Sequence, residues 1–546
     1  MQSGGWASLM QREAPVASNT ERPGHLDYAR RQAAGLAALA SLTGSQRSGG
    51  GHGPVSQRRS DSHPDRRGHH DRFHWASPPG VPPRQETRGA LNDHYAIPTA
   101  TLRRRWVPLV VTIALLVSAA GLARHILFLW SFNQYRALFT AWTAAFAFSA
   151  LQWILSYRDR PWKVRRFQQA RVARLRVTVN VPLYNEDPEV VDRTLYALLT
   201  QTRPAQRIDV VDDGSTIGYL NLQQHWEGWW PSGTEVRWIR QRNAGKKHAQ
   251  AATFVSDPGA DIFVTVDSDT ALERRAIEEG LKPFACRKVQ SVAGIELAFN
   301  SAVNWLTRTV SARSLFFQLV ACGAQSAVGD ILVNRGAFAL YRADLCRDIV
   351  PAYLEETFLG RGPIKLGDDA ALTLFARGRG KAVQQSTAFA LTMYPEKLSH
   401  HFRQWIRWMR GSTIRNCWRV RYLPLRSYGW WFTVLGLQFF LASTILPVMI
   451  ILTWPASATF AEGALTAMLV WAYCTAFRIL AVRRSDENWL YRLGTFMAYP
   501  PAMLWGAMVL RPLRFVGIAT FMKQGWTTRT EGAEVAIAPA ADKAVA

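Results

Sequence analysis

Three short runs of β-branched and aliphatic residues mark the middle of the chain: Val177-Thr178-Val179-Asn180-Val181, Ile208-Asp209-Val210-Val211 and Ile262-Phe263-Val264-Thr265-Val266. Helical stretches at 189–201 and 245–256 intervene. Strand runs alternating with helices predict an α/β fold, a parallel or mixed sheet covered by helices, with ligands at the carboxyl ends of the strands. The second and third runs end directly in carboxylates, Asp212-Asp213-Gly214-Ser215 and Asp267-Ser268-Asp269. The same pattern that fixes the fold therefore points to an acidic site on it.

The flanks read as membrane. Segments 107–129 and 137–156 are long enough to cross a bilayer, and the basic stretches before and after them, Arg103-Arg104-Arg105 and the Arg-rich run 158–176, both belong on the cytoplasmic side. The two spans form a hairpin, and the sheet domain behind it is cytosolic. Two more spans are expected at 429–453 and 462–481. The apolar stretch 493–510 is interrupted by Pro500-Pro501 and stopped by Arg511-Pro512, and 513–522 is too short to cross back. We read it as a broken, re-entrant or interface-lying segment with a cytosolic C-terminus, against one ordinary crossing. Residues 1–100 are rich in Gly, Ser, Pro, Arg and His without an apolar period, and are expected to be a disordered basic tail with no signal peptide.

The chain carries 65 Lys+Arg against 40 Asp+Glu, a formal charge of +25. Such an excess suits nucleic acid, anionic lipid or an anionic substrate. The 22 Trp and the bilayer-length apolar runs favour membrane lipid over nucleic acid. Cys286, Cys322, Cys346, Cys417 and Cys474 are scattered and show no C-x-x-C spacing, which argues against a disulfide scaffold or a zinc site.

Each acidic motif has a chemical reading. Asp212 and Asp213, followed by a turn glycine, can grip the base and ribose of a nucleotide. Asp267 and Asp269 can hold Mg²⁺ or Mn²⁺ while leaving positions open for a diphosphate. Asn243-Ala244-Gly245-Lys246-Lys247-His248 opens a helix and offers amides and ammonium groups to phosphate. Its spacing is not that of a Walker loop, which disfavours a kinase or ATPase. Gly367-Asp368-Asp369 supplies a third acidic set, and a carboxylate there can take a proton from an attacking hydroxyl. Gln404-Trp405-Ile406-Arg407-Trp408, just before the apolar run, offers donors for a diphosphate and an indole face for a sugar ring.

Together these sets resemble family-2 glycosyltransferases, and more narrowly the hyaluronan synthases, over about 177–530. The resemblance rests on Pro182-Leu183-Tyr184-Asn185-Glu186-Asp187, Gly245-Lys246-Lys247-His248-Ala249-Gln250, Gly329-Asp330-Ile331-Leu332-Val333, Thr357-Phe358-Leu359-Gly360 and Gln385-Ser386-Thr387, in addition to the acidic motifs, all in the family's order. It implies a GT-A-like mixed sheet with helices on both faces, inserted between transmembrane α-helices. The domains would be the tail 1–100, a transmembrane hairpin 101–157, a cytosolic glycosyltransferase domain 158–400, interface helices 401–428, transmembrane and re-entrant helices 429–525, and a cytosolic tail 526–546. Tyr184, Glu186, Asp212, Asp213 and Lys246 would bind the nucleotide, Asp267 and Asp269 the metal. Asp369 would be the general base with Asp368 beside it. Gln404, Arg407 and Trp408 would close over diphosphate and acceptor, joined by Trp526 and Arg529 of Gly525-Trp526-Thr527-Thr528-Arg529, which is similar to the family's Trp-Gly-Thr-Arg element.

The implied activity is a plasma-membrane, multi-pass, inverting transferase that polymerises sugars from UDP-sugar donors and extrudes the polysaccharide. The departures from the pattern cluster near acceptor and nucleotide: Asn334-Arg335-Gly336-Ala337 in place of Cys-Ser-Gly-Pro, Ala370 in place of Arg, Arg403-Gln404 in place of a Gln pair, Thr527 in place of Gly. They leave open a chitin- or cellulose-like synthase, or an oligosaccharide transferase, using a single donor. A reading from another class is a non-catalytic basic membrane protein that binds anionic polymer. It accounts for the charge but not for three carboxylate sets.

Overall fold

Burial on both faces is what makes the central strands read as continuous apolar runs. The computed structural model describes residues 95–103, scattered positions between 110 and 121, 147–452 and 458–524. The expected tail up to 94, most of the first expected span, and 525–546 with Trp526 and Arg529 lie outside the described residues.

The strands are β1 (Ala100–Leu102), β2 (Val177–Leu183), β3 (Arg207–Asp212), β4 (Gly228–Trp229), β5 (Glu235–Arg240), β6 (Ile262–Val266), β7 (Ala271–Leu272), β8 (Val289–Ala298), β9 (Phe338–Arg342), β10 (Lys381–Thr392) and β11 (Val482–Arg484). Among the described residues one nine-stranded sheet has the order β4-β5-β3-β2-β6-β9-β8-β10-β7. Strand β2 is parallel to both β3 and β6, and β8 to β10, while β9 runs antiparallel to its two neighbours β6 and β8. The sheet is therefore mixed, as expected. Strands β1 and β11 form a separate antiparallel pair.

The helices that bear on the site are α1 (Pro188–Leu199), α2 (Lys246–Ser256), α3 (Trp305–Phe317), α4 (Ala343–Leu354), α5 (Asp368–Arg379), α6 (Leu398–Tyr422), α7 (Tyr428–Leu452), α8 (Ala458–Ala476), α9 (Trp489–Trp505) and α10 (Arg511–Ala519). One face of the sheet packs Val177, Val179, Val181, Ile262, Val264 and Val266 against Val191, Leu195 and Leu198 of α1. The other packs Phe263, Ala339 and Tyr341 against Phe254 of α2, Leu345 and Tyr353 of α4 and Leu372 of α5. Residues alternate between the two cores along β6 and β9, which is the period of a strand. Each fully buried aliphatic or aromatic side chain contributes about 1.5–3 kcal/mol, and covering both faces leaves the strand ends as the accessible polar surface.

A third core joins this domain to the apolar helices. Ile295 and Leu297 of β8 and Phe389 and Leu391 of β10 meet Ala312 and Leu315 of α3, Ala472 and Ala476 of α8, and Phe496 and Tyr499 of α9. Among the described residues one helical run, Trp489–Ala519, is long and apolar enough to cross a membrane, and two shorter apolar helices lie at Ala147–Ser156 and Met468–Ala481. This run corrects the expectation of a break at Pro500-Pro501. The helix continues through both prolines to Trp505, passes through a π-turn at Gly506–Leu510, and resumes as α10. Proline's fixed φ is helical, so its cost is a missing donor and a clash with the preceding turn. Burial of Phe496, Tyr499 and Ala502 around the prolines holds the backbone helical. Both ends of the segment return to the sheet domain: Arg484 donates to the Ala298 carbonyl (2.5 Å) at one end, and Gln524 accepts from the Lys365 and Leu366 amides (3.2 and 3.3 Å) at the other.

Candidate active site

Loops after β2 and β3 are joined first. The Asn185 amide donates to Ser215 Oγ (3.0 Å), and its side-chain carbonyl accepts from the Thr216 amide (2.8 Å). Asp212 accepts from the Ser215 amide (2.9 Å), which closes the Asp-Gly-Ser turn. Glu186 is buried and accepts from Ser268 Oγ (3.4 Å), linking this pair of loops to the one after β6. Tyr184 stands between Leu183 and Asn185 at the same strand end, half-buried. Asp213 has a structural task as well. Its Oδ1 accepts from Gln241 Nε2 (2.7 Å) and the Ala244 amide (2.9 Å), its Oδ2 from the Gly245 amide (2.8 Å). It thereby anchors the loop that launches α2 and aims Lys246.

Lys246 is the junction of the acidic sets. Its Nζ lies 2.6 Å from Asp267 Oδ1 and 3.4 Å from Asp368 Oδ2. Burial alone would lower its pKa, but Asp267 and Asp368 outweigh burial and hold it firmly charged. Gly336 seals this spot: a Cβ there would lie 3.0 Å from Lys246 Nζ and 3.1 Å from Asp267 Oδ2. Asp269 accepts from the hydroxyls of Thr270 (3.2 Å) and Thr392 (3.3 Å) through one oxygen. Among the described residues no three His, Cys, Asp or Glu side chains converge on a metal-sized point. Two carboxylates with an ammonium on one of them fit a cation that completes its shell with phosphate and water, as Mg²⁺ and Mn²⁺ do.

Asp368 and Asp369 open α5, and their surroundings drive them apart. Asp368 accepts from Gln250 Nε2 (3.3 Å) and faces Lys246, which more than offsets burial and lowers its pKa. For Asp369, burial and the neighbouring Asp368 charge push the pKa up to about 7, with Lys246 opposing. Two carboxyls side by side with separated affinities are the usual arrangement for proton transfer near neutrality.

Helix α6 carries Gln404, Arg407 and Trp408 along one face. On a 3.6-residue period these three share a stripe with Gly411 and Arg415. Gly411 packs backbone to backbone on Gly367, and Arg415 Nε donates to the Gly367 carbonyl (3.2 Å). Trp408 is 46% exposed and packs edge-on against Trp405 (ring centroids 6.3 Å apart). Gln404 Oε1 is enclosed without a hydrogen-bond partner. The opposite face of α6 rests on the C-terminal helices: Trp405 Nε1 donates to the Leu510 carbonyl (2.9 Å) and Arg410 Nε to Thr520 Oγ1 (3.0 Å).

Two groups near the site escaped the sequence reading. Arg335, noted there only as a departure, donates to Glu296 Oε2 (2.9 Å) and Ser314 Oγ (2.8 Å), and Tyr394 Oη donates to the same Ser314 (2.7 Å). This cluster ties the Gly336 loop to β8 and α3. Glu356, beside the matched Thr357–Gly360 stretch, is buried between Lys247 and Arg415. Its partners lie far away in sequence, so no local pattern could reveal them.

Residues 178–359 match the glycosyl transferase family 2. The hyaluronan synthase of Streptococcus pyogenes serotype M1 is 30% identical over 363 residues, 65% of this chain and 83% of that protein. An N-acetylglucosaminyltransferase of Rhizobium sp. (strain N33) is 26% identical over 375 residues, 67% and 79% of the two chains. Among solved structures, a mannosyltransferase from Pyrobaculum calidifontis in complex with GDP-Man and Mn²⁺ aligns with TM-score 0.47 and 20% identity, covering 68% of this chain and 98% of that one.

Proposed function

The chain belongs to the family-2 glycosyltransferases, and from that premise we propose a membrane-embedded, inverting polymerase that adds sugars from UDP-sugar donors, in the manner of a hyaluronan synthase. That it is a glycosyltransferase follows from the family. The observation that carries the finer reading is the convergence of Lys246 on Asp267 and Asp368, with Asp369 poised near neutrality beside them.

In this reading Tyr184, Glu186 and Asp212 surround uridine, and Asp213 acts by fixing the loop of Lys246. Asp267 and Asp269 would hold Mg²⁺ or Mn²⁺, which supplies Lewis-acid charge to the diphosphate. Asp369 accepts the proton of the acceptor hydroxyl as that oxygen attacks the anomeric carbon from the face opposite the diphosphate. The bond to UDP breaks in the same displacement, and Lys246 and Arg407 meet the leaving charge. Gln404 orients the diphosphate, and Trp408 gives the acceptor ring a stacking face.

Membrane embedding is supported by α7, which has 25 residues without a charged side chain and exposes Leu437, Leu441, Ile445 and Ile451. An apolar surface of this kind calls for lipid. The Arg335–Glu296 pair favours a second reading in one respect. A loop that differs from the hyaluronan synthase pattern beside the acceptor is compatible with a single-donor polymerase. Incubating purified protein with radiolabelled UDP-N-acetylglucosamine and UDP-glucuronate, singly and together, separates the two. High-mass product only from the pair is the expected result, and polymer from one donor alone moves the assignment to the single-sugar reading.

A further inference from the structure

We propose that Glu356 is a positioning residue of the transfer reaction, fixing the helix of Gln404, Arg407 and Trp408 against the turn of Asp368 and Asp369 through Arg415 and Lys247. The inference rests on the transfer reading above and deepens it by giving a role to Glu356, which directly precedes the matched Thr357-Phe358-Leu359-Gly360 stretch.

Both carboxylate oxygens of Glu356 are consumed. Oε2 accepts from Lys247 Nζ (2.8 Å) and Arg415 Nη2 (2.7 Å), and Oε1 from Trp418 Nε1 (3.1 Å) and Arg415 Nη1. Side-chain exposure is 5% for Lys247, 3% for Glu356 and 2% for Arg415, so no solvent intervenes. A buried ion cluster by itself says little about function, because well-packed apolar residues often stabilise as much. What distinguishes this one is where its spare donors end. Arg415 gives Nε to the Gly367 carbonyl (3.2 Å) and Nη2 to the Leu366 carbonyl (3.4 Å), the two residues preceding Asp368.

The other cation is Lys247, the neighbour of Lys246 on α2, which also donates to the Tyr353 carbonyl (3.3 Å). Tyr353 Oη donates to Gln250 Oε1 (2.6 Å), and Gln250 reaches Asp368. One carboxylate thus holds three elements in register: the start of α2 behind Lys246, the turn before α5, and α6.

The contact it enforces is close. Gly367 has φ +72°, a conformation that favours glycine. A Cβ on Gly411 would stand 3.3 Å from the Gly367 nitrogen and 3.4 Å from its Cα, so any larger residue would push helix and turn apart by a few tenths of an ångström. Trp408 lies one helical turn before that contact and Gln404 two, about 5 and 10 Å along the axis. A small shift at Gly411 therefore moves the acceptor platform relative to Asp369, and displacements near 1 Å cost on the order of 10²-fold in rate.

Glu356→Gln keeps the shape and removes the charge. In detergent-purified full-length protein it should lower kcat for transfer by roughly 10²-fold, while UDP affinity and donor KM stay within about twofold. The share of donor consumed by water rather than by the sugar acceptor should rise, because the acceptor platform shifts and the donor pocket does not. Gly411→Ala displaces the helix without touching any charge and should give the same signature. The double variant should lose less than the product of the two single losses, as coupled sites do. Wild-type kcat and an unchanged hydrolysis share in either single variant would overturn the proposal, as would parallel loss of UDP affinity and turnover. If the wild-type protein itself transfers no sugar, the transfer reading fails first and this inference with it.

Discussion

Asp369 and Asp368 are chemically identical neighbours, and only their surroundings fit one of them for the base role proposed here. Lys246 faces Asp368 and keeps it ionised, whereas Asp369 sits beside that charge with its pKa raised to about 7. A raised carboxyl pKa means that the base is lost to protonation as pH falls through it. The kcat/KM profile should therefore show an acid limb with an apparent pKa near 7, falling about tenfold per pH unit below it. A flat profile from pH 5 to 8 would assign the proton to another group. Asp369→Asn should lower turnover by a factor on the order of 10² or more with UDP binding intact. Asp269→Asn should abolish metal-stimulated transfer and leave UDP melting shifts no larger in Mn²⁺ than in EDTA, and a retained Mn²⁺-dependent shift would remove Asp269 from the metal set. Asp212-Asp213 and Asp267-Ser268-Asp269 were legible because each follows a strand that the sequence already marks, and strand ends are where this architecture puts ligands, whereas Gly367-Asp368-Asp369 opens a helix and was legible only as an acidic motif. Arg335–Glu296 and Lys247–Glu356–Arg415 were not, since each joins residues that only the folded sheet and α6 bring together.

At the scale of elements, α6 is the part on which the account turns. One face lies on the Gly367 turn and the other on α10, where a Cβ added at Gly517 would come within 2.5 Å of Met409 Cβ. Gly517→Val should separate the two helices, cost about 1–3 kcal/mol of stability, and reduce transfer more than UDP binding. Thermal melts beside activity and UDP titrations check this, and unchanged melting and turnover would mean that α6 does not depend on that packing. The strands and the helices α1 and α2 follow the sequence periods within a few residues, because burial on a sheet enforces them. The Pro500-Pro501 segment misled for a physical reason. A proline pair reads locally as a break, but the packing of Phe496, Tyr499 and Ala502 keeps the helix running, and the irregularity falls at Gly506–Leu510 instead.

Across the whole molecule, the segment 489–524 begins and ends against the sheet domain, through Arg484 near its start and Gln524 at its close. That geometry brings Gln524, the last described residue, to the turn before Asp368, which supports the proposed cytosolic C-terminus. A cysteine at Thr530, in a variant lacking Cys286, Cys322, Cys346, Cys417 and Cys474, should resist a membrane-impermeant thiol reagent in intact cells and label once the membrane is opened. Labelling in intact cells would place the tail outside and take Arg529 out of the site. The chemistry we propose is narrower than topology: one base, Asp369, taking the acceptor proton in a single displacement at the anomeric carbon. It is tested most directly by NMR of the first linkage that the purified protein forms from an α-linked UDP-sugar. A β linkage in the product is the expected result, and an α linkage would rule out a single displacement.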